Sequence, residues 1–284
     1  MKRIFASRKT LLFTAGVFLL CLAFMFLKNS WGRPATDGKV SELVLIIGTT
    51  NIGIPYLLVE GLMPLFGLIL PFITTDAVSR DYQERTHELL MTSTISTPAY
   101  IWGRYLSSLF ICLSLAVILL FTTVIGSWLL HIISQYPFPN IQLLFSVWLI
   151  AVIPAVIVTA TISFILGTLF PKYTNVMKLI SVSLWIGLLF TVDATDRGAT
   201  WFTYWNPTGY GIVRTNVNNF LSQYNNVISH TTIGANPMKI ALQLQQQMPI
   251  LSPWVIPHIA LIVFCFVGIA IIAKGFDRFR SVLE

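Results

Sequence analysis

Long apolar runs alternate with short charged segments along this chain, and the runs have the length of membrane helices. A helix needs about 20 mostly apolar residues to cross the hydrocarbon layer. Leu11–Leu27 is the first such run, between Lys2, Arg3, Arg8 and Lys9 on one side and Lys28 on the other. It ends in Phe24, Met25, Phe26 and Leu27, without a small-residue cleavage pattern, and reads as a retained first helix. Leu43–Thr75 is one apolar run interrupted by a single charge, Glu60. That is too long for one span, yet no polar loop divides it. The expected arrangement is an outer interfacial or re-entrant piece over Leu43–Gly53, then a second span over Ile54–Thr75. Pro55, Pro64 and Pro71 should kink or break that span. Four more spans are expected over Tyr105–Leu130, Leu143–Phe170, Val176–Val192 and Trp254–Ala273. Lys178 lies near one end of the fifth, where it could snorkel to the interface.

Six spans give one membrane domain, residues 1–284, with three segments of substance outside the bilayer. These are an outer loop over residues 28–53, an inner loop over 76–104 and a long outer loop over 193–253. The distribution of basic residues sets the orientation. With an internal N-terminus, the inner segments hold twelve Lys or Arg and the outer segments six, namely Lys28, Arg33, Lys39, Arg197, Arg214 and Lys239. His131–Gln142 carries neither, as suits an outer hairpin. Both termini are therefore expected in the cytoplasm. The fold class is an all-α polytopic membrane protein.

Composition agrees. Only 10% of the 284 residues are charged, against roughly 25% in a soluble domain. Hydrophobic residues reach 55% and the mean hydropathy is +0.77. Disorder and a disulfide scaffold are excluded, because Cys21, Cys112 and Cys265 all lie inside apolar runs. The net charge of +7 is spread over short segments beside the spans, so it points to anionic lipid headgroups and not to nucleic acid.

Enzymatic signatures are absent. No GxxxxGK[ST] run occurs, so nucleotide hydrolysis by a P-loop is not expected of this chain. His87-Glu88 begins like a zinc-protease motif, but Met91 stands where the second ligand belongs, and no other metal-ligand spacing occurs. There is no GxSxG elbow. Within the spans Glu60 is the sharpest feature, since a carboxyl in hydrocarbon is costly, about 3 kcal/mol on the insertion scale. It could contact cargo or an ion along a path, lie among the outer headgroups, or be protonated and hydrogen-bonded to a neighbour. A secondary transporter or channel using Glu60 as an ion or proton site is thus one reading of the chain.

The other reading comes from the inner loop. Between Asp76 and Arg104 the charges gather, and a helix from about Ser79 to Met91 would pair Arg80 with Glu84 and Asp81 with Arg85 at i,i+4 spacing. Leu89, Leu90 and Met91 follow as an apolar patch. Such a helix, lying along the inner membrane surface, offers itself to a soluble partner.

Asp81–Ser96 (DYQERTHELLMTSTIS), continuing to Gly103-Arg104, resembles the inner loop of type-2 ABC transporter permeases. Thr86, Leu89, Leu90, Thr92, Ile95 and Ser96 match that family's pattern, and Gly103-Arg104 stands for its Gly-Lys pair. Arg85 stands where a Gly is expected and Thr94 where a Pro is expected. The resemblance extends to the plan of six spans, internal ends and large outer loops after spans one and five. It implies that Asp81, Glu84, Arg85, His87, Glu88, Leu89 and Leu90 form a coupling helix docked on a separate P-loop ATPase, present in two copies. It also implies a second permease, identical or homologous, with ATP and Mg bound by the ATPase and no cofactor in this chain. The expected function is export of a lipid-like, peptide or antibiotic molecule across the plasma (inner) membrane of a bacterium. The long outer loop fits this plan. Trp201, Phe202, Tyr204, Trp205 and Tyr210 read as an interfacial aromatic belt, and Pro237–Met248 as a short helix with Ile240, Leu244 and Met248 on one face.

Overall fold

A computed structural model describes residues 16–23, 25–26, 46–78, 95–190, 201–230 and 237–275. Among the described residues the regular structure is entirely helical. Residues 16–23 and 25–26 are helical and belong to the expected first span. Five further helices are long and apolar enough to cross a membrane. They are α1 (Gly53–Val78), α2 (Thr97–Ile133), α3 (Ile141–Leu169), α4 (Pro171–Phe190, opening with a 3-10 turn) and α5 (Ser252–Gly275). Three shorter helices lie between α4 and α5: α6 (Trp201–Trp205), α7 (Tyr210–His230) and α8 (Pro237–Gln245).

The second half of α3 is the hub, packing against α1, α2, α4 and α5. Its buried face is made of small and β-branched residues, among them Ala155, Val156, Thr159, Ala160, Ser163 and Gly167. Lipid tails are as apolar as leucine, so helices in a membrane associate by close packing, and small residues allow it. Gly167 shows the consequence, since a Cβ there would stand 2.3 Å from the carbonyl oxygen of Thr75. At that point α1 and α3 meet backbone to backbone. Across the helices, Trp148 Nε1 donates to Ala116 O at 2.9 Å, and the Tyr105 hydroxyl pairs with Thr161 Oγ1 at 2.9 Å. By contrast α5 is the most exposed span, with Ile256, Phe264 and Ile271 facing outward.

The expected break in the second span takes another form. The helix runs without interruption past Pro55, Pro64 and Pro71, but Leu57–Leu62 is wound as a π-helix. Met63 N–H reaches back five residues to Leu58 O, and Pro64 follows immediately. Trp148–Val152 in α3 repeats the device: Ile153 N–H donates to Trp148 O, and Pro154 comes next. A proline has no N–H for the carbonyl four residues back. Widening the preceding turn accommodates the ring without ending the helix. The two π-segments touch each other.

Candidate functional site: a knotted cap and a charge-paired loop end

At one end of the bundle, here termed the cap end, α6, α7 and α8 and the turns over residues 46–52 close over the spans. Ile46 to Ile52 are all buried. Their backbone is held by Gln245, itself fully buried. Its Oε1 accepts from Ile46 N at 2.9 Å and Thr50 Oγ1 at 3.2 Å, while its carbonyl accepts from Ile52 N at 3.3 Å. Irregular backbone at membrane depth needs such partners, because hydrocarbon supplies none. The face of α8 that does this differs from the expected one. Ala241 and Gln245 are buried, whereas Met248 is exposed. The polar Gln245 outranks the apolar Met248 because it alone can satisfy the open turn.

The centre of the cap is the turn Asn206–Gly209. Asn206 Nδ2 donates to Leu188 O at 2.9 Å, and its Oδ1 accepts from Thr208 N at 3.0 Å and Thr208 Oγ1 at 2.7 Å. Gly209 has φ +70, and a Cβ there would meet Ala151 Cβ at 2.9 Å and Val59 Cγ2 at 3.5 Å. Glycine is required twice over, by the left-handed backbone and by the close approach. Ala151 and Val59 belong one to each π-segment, so the turn sits on both.

His258 of α5 completes the knot. Its Nδ1 lies 2.6 Å from Ile150 O and its Nε2 3.2 Å from Asn206 O. Carbonyl oxygens only accept, so a neutral imidazole donates to one of the two, through whichever nitrogen carries the proton. Ile150 O is the carbonyl that Pro154 leaves without its usual helical donor, and the imidazole takes that role. Beside it, Tyr204 packs on Trp254 with ring centroids 5.1 Å apart. Asn216 of α7 accepts from Ile250 N at 2.9 Å and donates to Ile250 O at 3.3 Å, which fastens the strap between α8 and α5.

Glu60 lies in the first π-segment, seven residues into α1 from the cap end, or about 10 Å along the axis. It is half-buried and hydrogen-bonded to the Tyr56 side chain, with Tyr210 of α7 close to Tyr56.

The opposite end of the bundle is the loop end. Here the described part of α1 reaches Val78 and α2 starts after Ser96, with Pro98 in its first turn. Lys178 does not snorkel freely: its ammonium bridges both carboxylate oxygens of Asp76, at 2.7 and 2.8 Å, and lies 5.9 Å from the centre of the Phe72 ring. The pair ties α4 to the last turn of α1. Asp81, Glu84, Arg85, His87, Glu88, Leu89 and Leu90 lie outside the described residues.

Two features escaped the sequence reading. One is α7, whose buried Ile212, Val213, Asn216, Val217 and Phe220 do carry a helical spacing within a polar stretch. The other is the His258–Ile150–Asn206 contact, whose only trace in the sequence was the proline at 154.

Several apolar helices built around a small-residue hub, with a folded cap and no clustered His, Cys, Asp or Glu for a metal among the described residues, define a multi-pass membrane protein. The particular family follows from comparison. Residues 47–274 match the family model described as ABC-2 family transporter protein, and the chain belongs to that family. It is a membrane permease of the ABC-transporter class. No curated protein and no solved structure matches it. The match begins in the buried cap turn and ends in the last turn of α5, so cap and spans are parts of one family unit. Membership favours the permease over the secondary transporter built on Glu60.

Proposed function

We propose that this permease is the membrane half of an exporter whose motor is a separate P-loop ATPase, and that the segment Asp76–Pro98 receives the motor's stroke. The observation that carries the reading is the Asp76–Lys178 pair. It stands at the root of the charged loop and joins α1 to α4, so a push on the loop reaches two spans together. Asp81, Glu84, Arg85, His87, Glu88, Leu89 and Leu90 supply the charged and apolar contacts to the ATPase. Two ATPases and a second permease, identical or homologous, complete the transporter, with ATP and Mg held on the ATPases.

The bundle then alternates between two states, and cargo moves by binding them unequally, since a ligand can shift only an equilibrium it distinguishes. Cargo leaves through the cap end, which the excess of basic residues assigns to the outside of a bacterial plasma membrane. The cargo is a lipid-like, peptide or antibiotic molecule. Glu60, below the cap, is a polar contact on that route.

Co-purification in mild detergent tests the reading. A stoichiometric P-loop ATPase should accompany the chain and be lost when Glu84→Arg and Glu88→Arg are combined. A homo-oligomer with no ATPase, from a host that expresses one, would contradict it.

A further inference from the structure

Residues 105–171 contain no Asp, Glu, Lys or Arg. They hold most of α2, the connection at its cap end and the whole of α3. That connection, residues 135–140, reads QYPFPN. It has aromatic residues and prolines where a loop in water ordinarily carries charge.

Helix α2 is also too long for the bilayer. Its 37 residues make a rod of about 55 Å. The hydrocarbon layer measures about 30 Å, and the whole bilayer about 40–45 Å. Two contacts with α3 show where the excess lies. Tyr105 meets Thr161 and Ala116 meets Trp148, so these antiparallel helices bring Ile141, the first residue of α3, level with about Val124. The cap end of α2 thus rises about nine residues, or 14 Å, above the start of α3. Helix α5 begins lower still, because His258 is level with Ile150.

The raised part of α2 is apolar and open. Phe121, Ile125, Trp128 and Ile132 are each 40% exposed or more, and they continue the outward face begun by Leu106 and Phe110. Steps of three and four residues put them in one stripe. Gln135, with φ 53, turns the chain back, and Phe138 packs edge-on against His131 while staying exposed. The other flank at this height is polar. Leu130 lies against Gly48 of the cap turns, Gln245 holds those turns, and its neighbours Gln243 and Gln247 are exposed.

An apolar stripe standing in water would be a large exposed patch. This one is continuous with the lipid-facing stripe below it, and Trp128, His131 and Phe138 at its rim suit the headgroup level. Met25 of the first span lies against Gly126, so that span climbs beside α2 to the same height.

We propose that residues 121–133 of α2 and the connection 135–140 form a lipid-contact surface, over which the cap-end leaflet rises. The bundle is then taller in apolar height on its α2 flank than on its α5 flank, and the bilayer thickens locally to match. The contact needs neither ATPase nor cargo, so it stands or falls apart from the coupling reading.

The test places single nitroxide-labelled cysteines in the full-length chain, with the three native cysteines replaced, in nanodiscs of dioleoyl phosphatidylcholine and phosphatidylglycerol. Oxygen concentrates in lipid and a nickel chelate in water, so the ratio of their effects on each label reports its surroundings. Ile132→Cys and Phe138→Cys should favour oxygen, as Val263→Cys on α5 does. Gln247→Cys, at the same height on the other flank, should favour nickel. All four positions are exposed, so the labels displace no packing. In thinner, dilauroyl nanodiscs the ratio at Ile132 and Phe138 should move toward nickel while that at Val263 holds. Labels at Ile132 and Phe138 that favour nickel in dioleoyl nanodiscs, or a ratio unmoved by the thinner bilayer, would overturn the proposal. So would exclusion of both reagents, which would assign the surface to another chain such as a second permease.

Discussion

The two ends of this bundle are built on opposite plans. At the cap end, Asn206, Thr208, Gln245, Asn216 and His258 tie α4, α5, α7, α8 and the turns over residues 46–52 together, mostly through backbone groups. At the loop end, among the described residues, an ion pair between Asp76 and Lys178 bridges α1 and α4, and Gly167 seats α3 against Thr75. Hydrogen-bonded knots in a low-dielectric setting have one arrangement and resist change. The Asp76–Lys178 pair is largely buried, its side chains 30% and 14% exposed, so parting it leaves charges short of both partner and water. The contrast is one of kind: backbone-directed hydrogen bonds under the cap, a charge pair between two spans at the root of the loop.

Mutations can break this contrast, and the cap should suffer most. Asn206→Leu removes the donor to Leu188 O and the acceptor for Thr208 N and Oγ1. A loss of about 3 kcal/mol is expected, read as a lower thermal midpoint of the detergent-solubilised chain. Gly209→Ala comes next, at about 2 kcal/mol, from a left-handed backbone and a clash with Ala151. His258→Phe keeps the ring volume but leaves Ile150 O without the imidazole, which should cost about 1–2 kcal/mol. A midpoint unchanged in all three would show that the cap is not knotted as described.

A comparably small stability effect belongs to the loop end. Lys178→Met should lower stability by about 1–2 kcal/mol, since it leaves the Asp76 carboxylate, 30% exposed, without its partner. Its larger consequence is functional: the ATPase still co-purifies, but ATP turnover no longer responds to cargo. The swap Asp76→Lys with Lys178→Asp should restore that response in part. A loss of stability from Lys178→Met as large as that from Asn206→Leu would erase the distinction between the two ends.

Much of this was legible in the sequence, and the boundary between what was and was not has a physical cause. Apolar runs exposed the spans, because length and hydropathy are what the bilayer selects. The inner loop gave the family through a short string of residues, and the match over residues 47–274 agrees with it. Of the prolines expected to break the second span, Pro64 marked a real perturbation, but a kink and a π-turn satisfy the same missing N–H, and sequence does not choose between them. Helix α7 was hidden by its polar residues: Asn216 occupies a buried position because it clamps the backbone of Ile250, a partner 34 residues away. Lys178 read as a free interfacial anchor because its partner, Asp76, lies 102 residues earlier. Long-range polar pairing leaves no local period.

The comparison between the two ends is tested most directly by spin-label distances in the reconstituted transporter. Ile95→Cys with Tyr173→Cys reports on the loop end, and Trp201→Cys with Val227→Cys on the cap; all four positions are exposed. With the three native cysteines replaced, ATP and vanadate should shift the Ile95–Tyr173 distance by about 2 Å or more. The Trp201–Val227 distance should stay unchanged. A cap that rearranges while the loop end holds still would contradict the account.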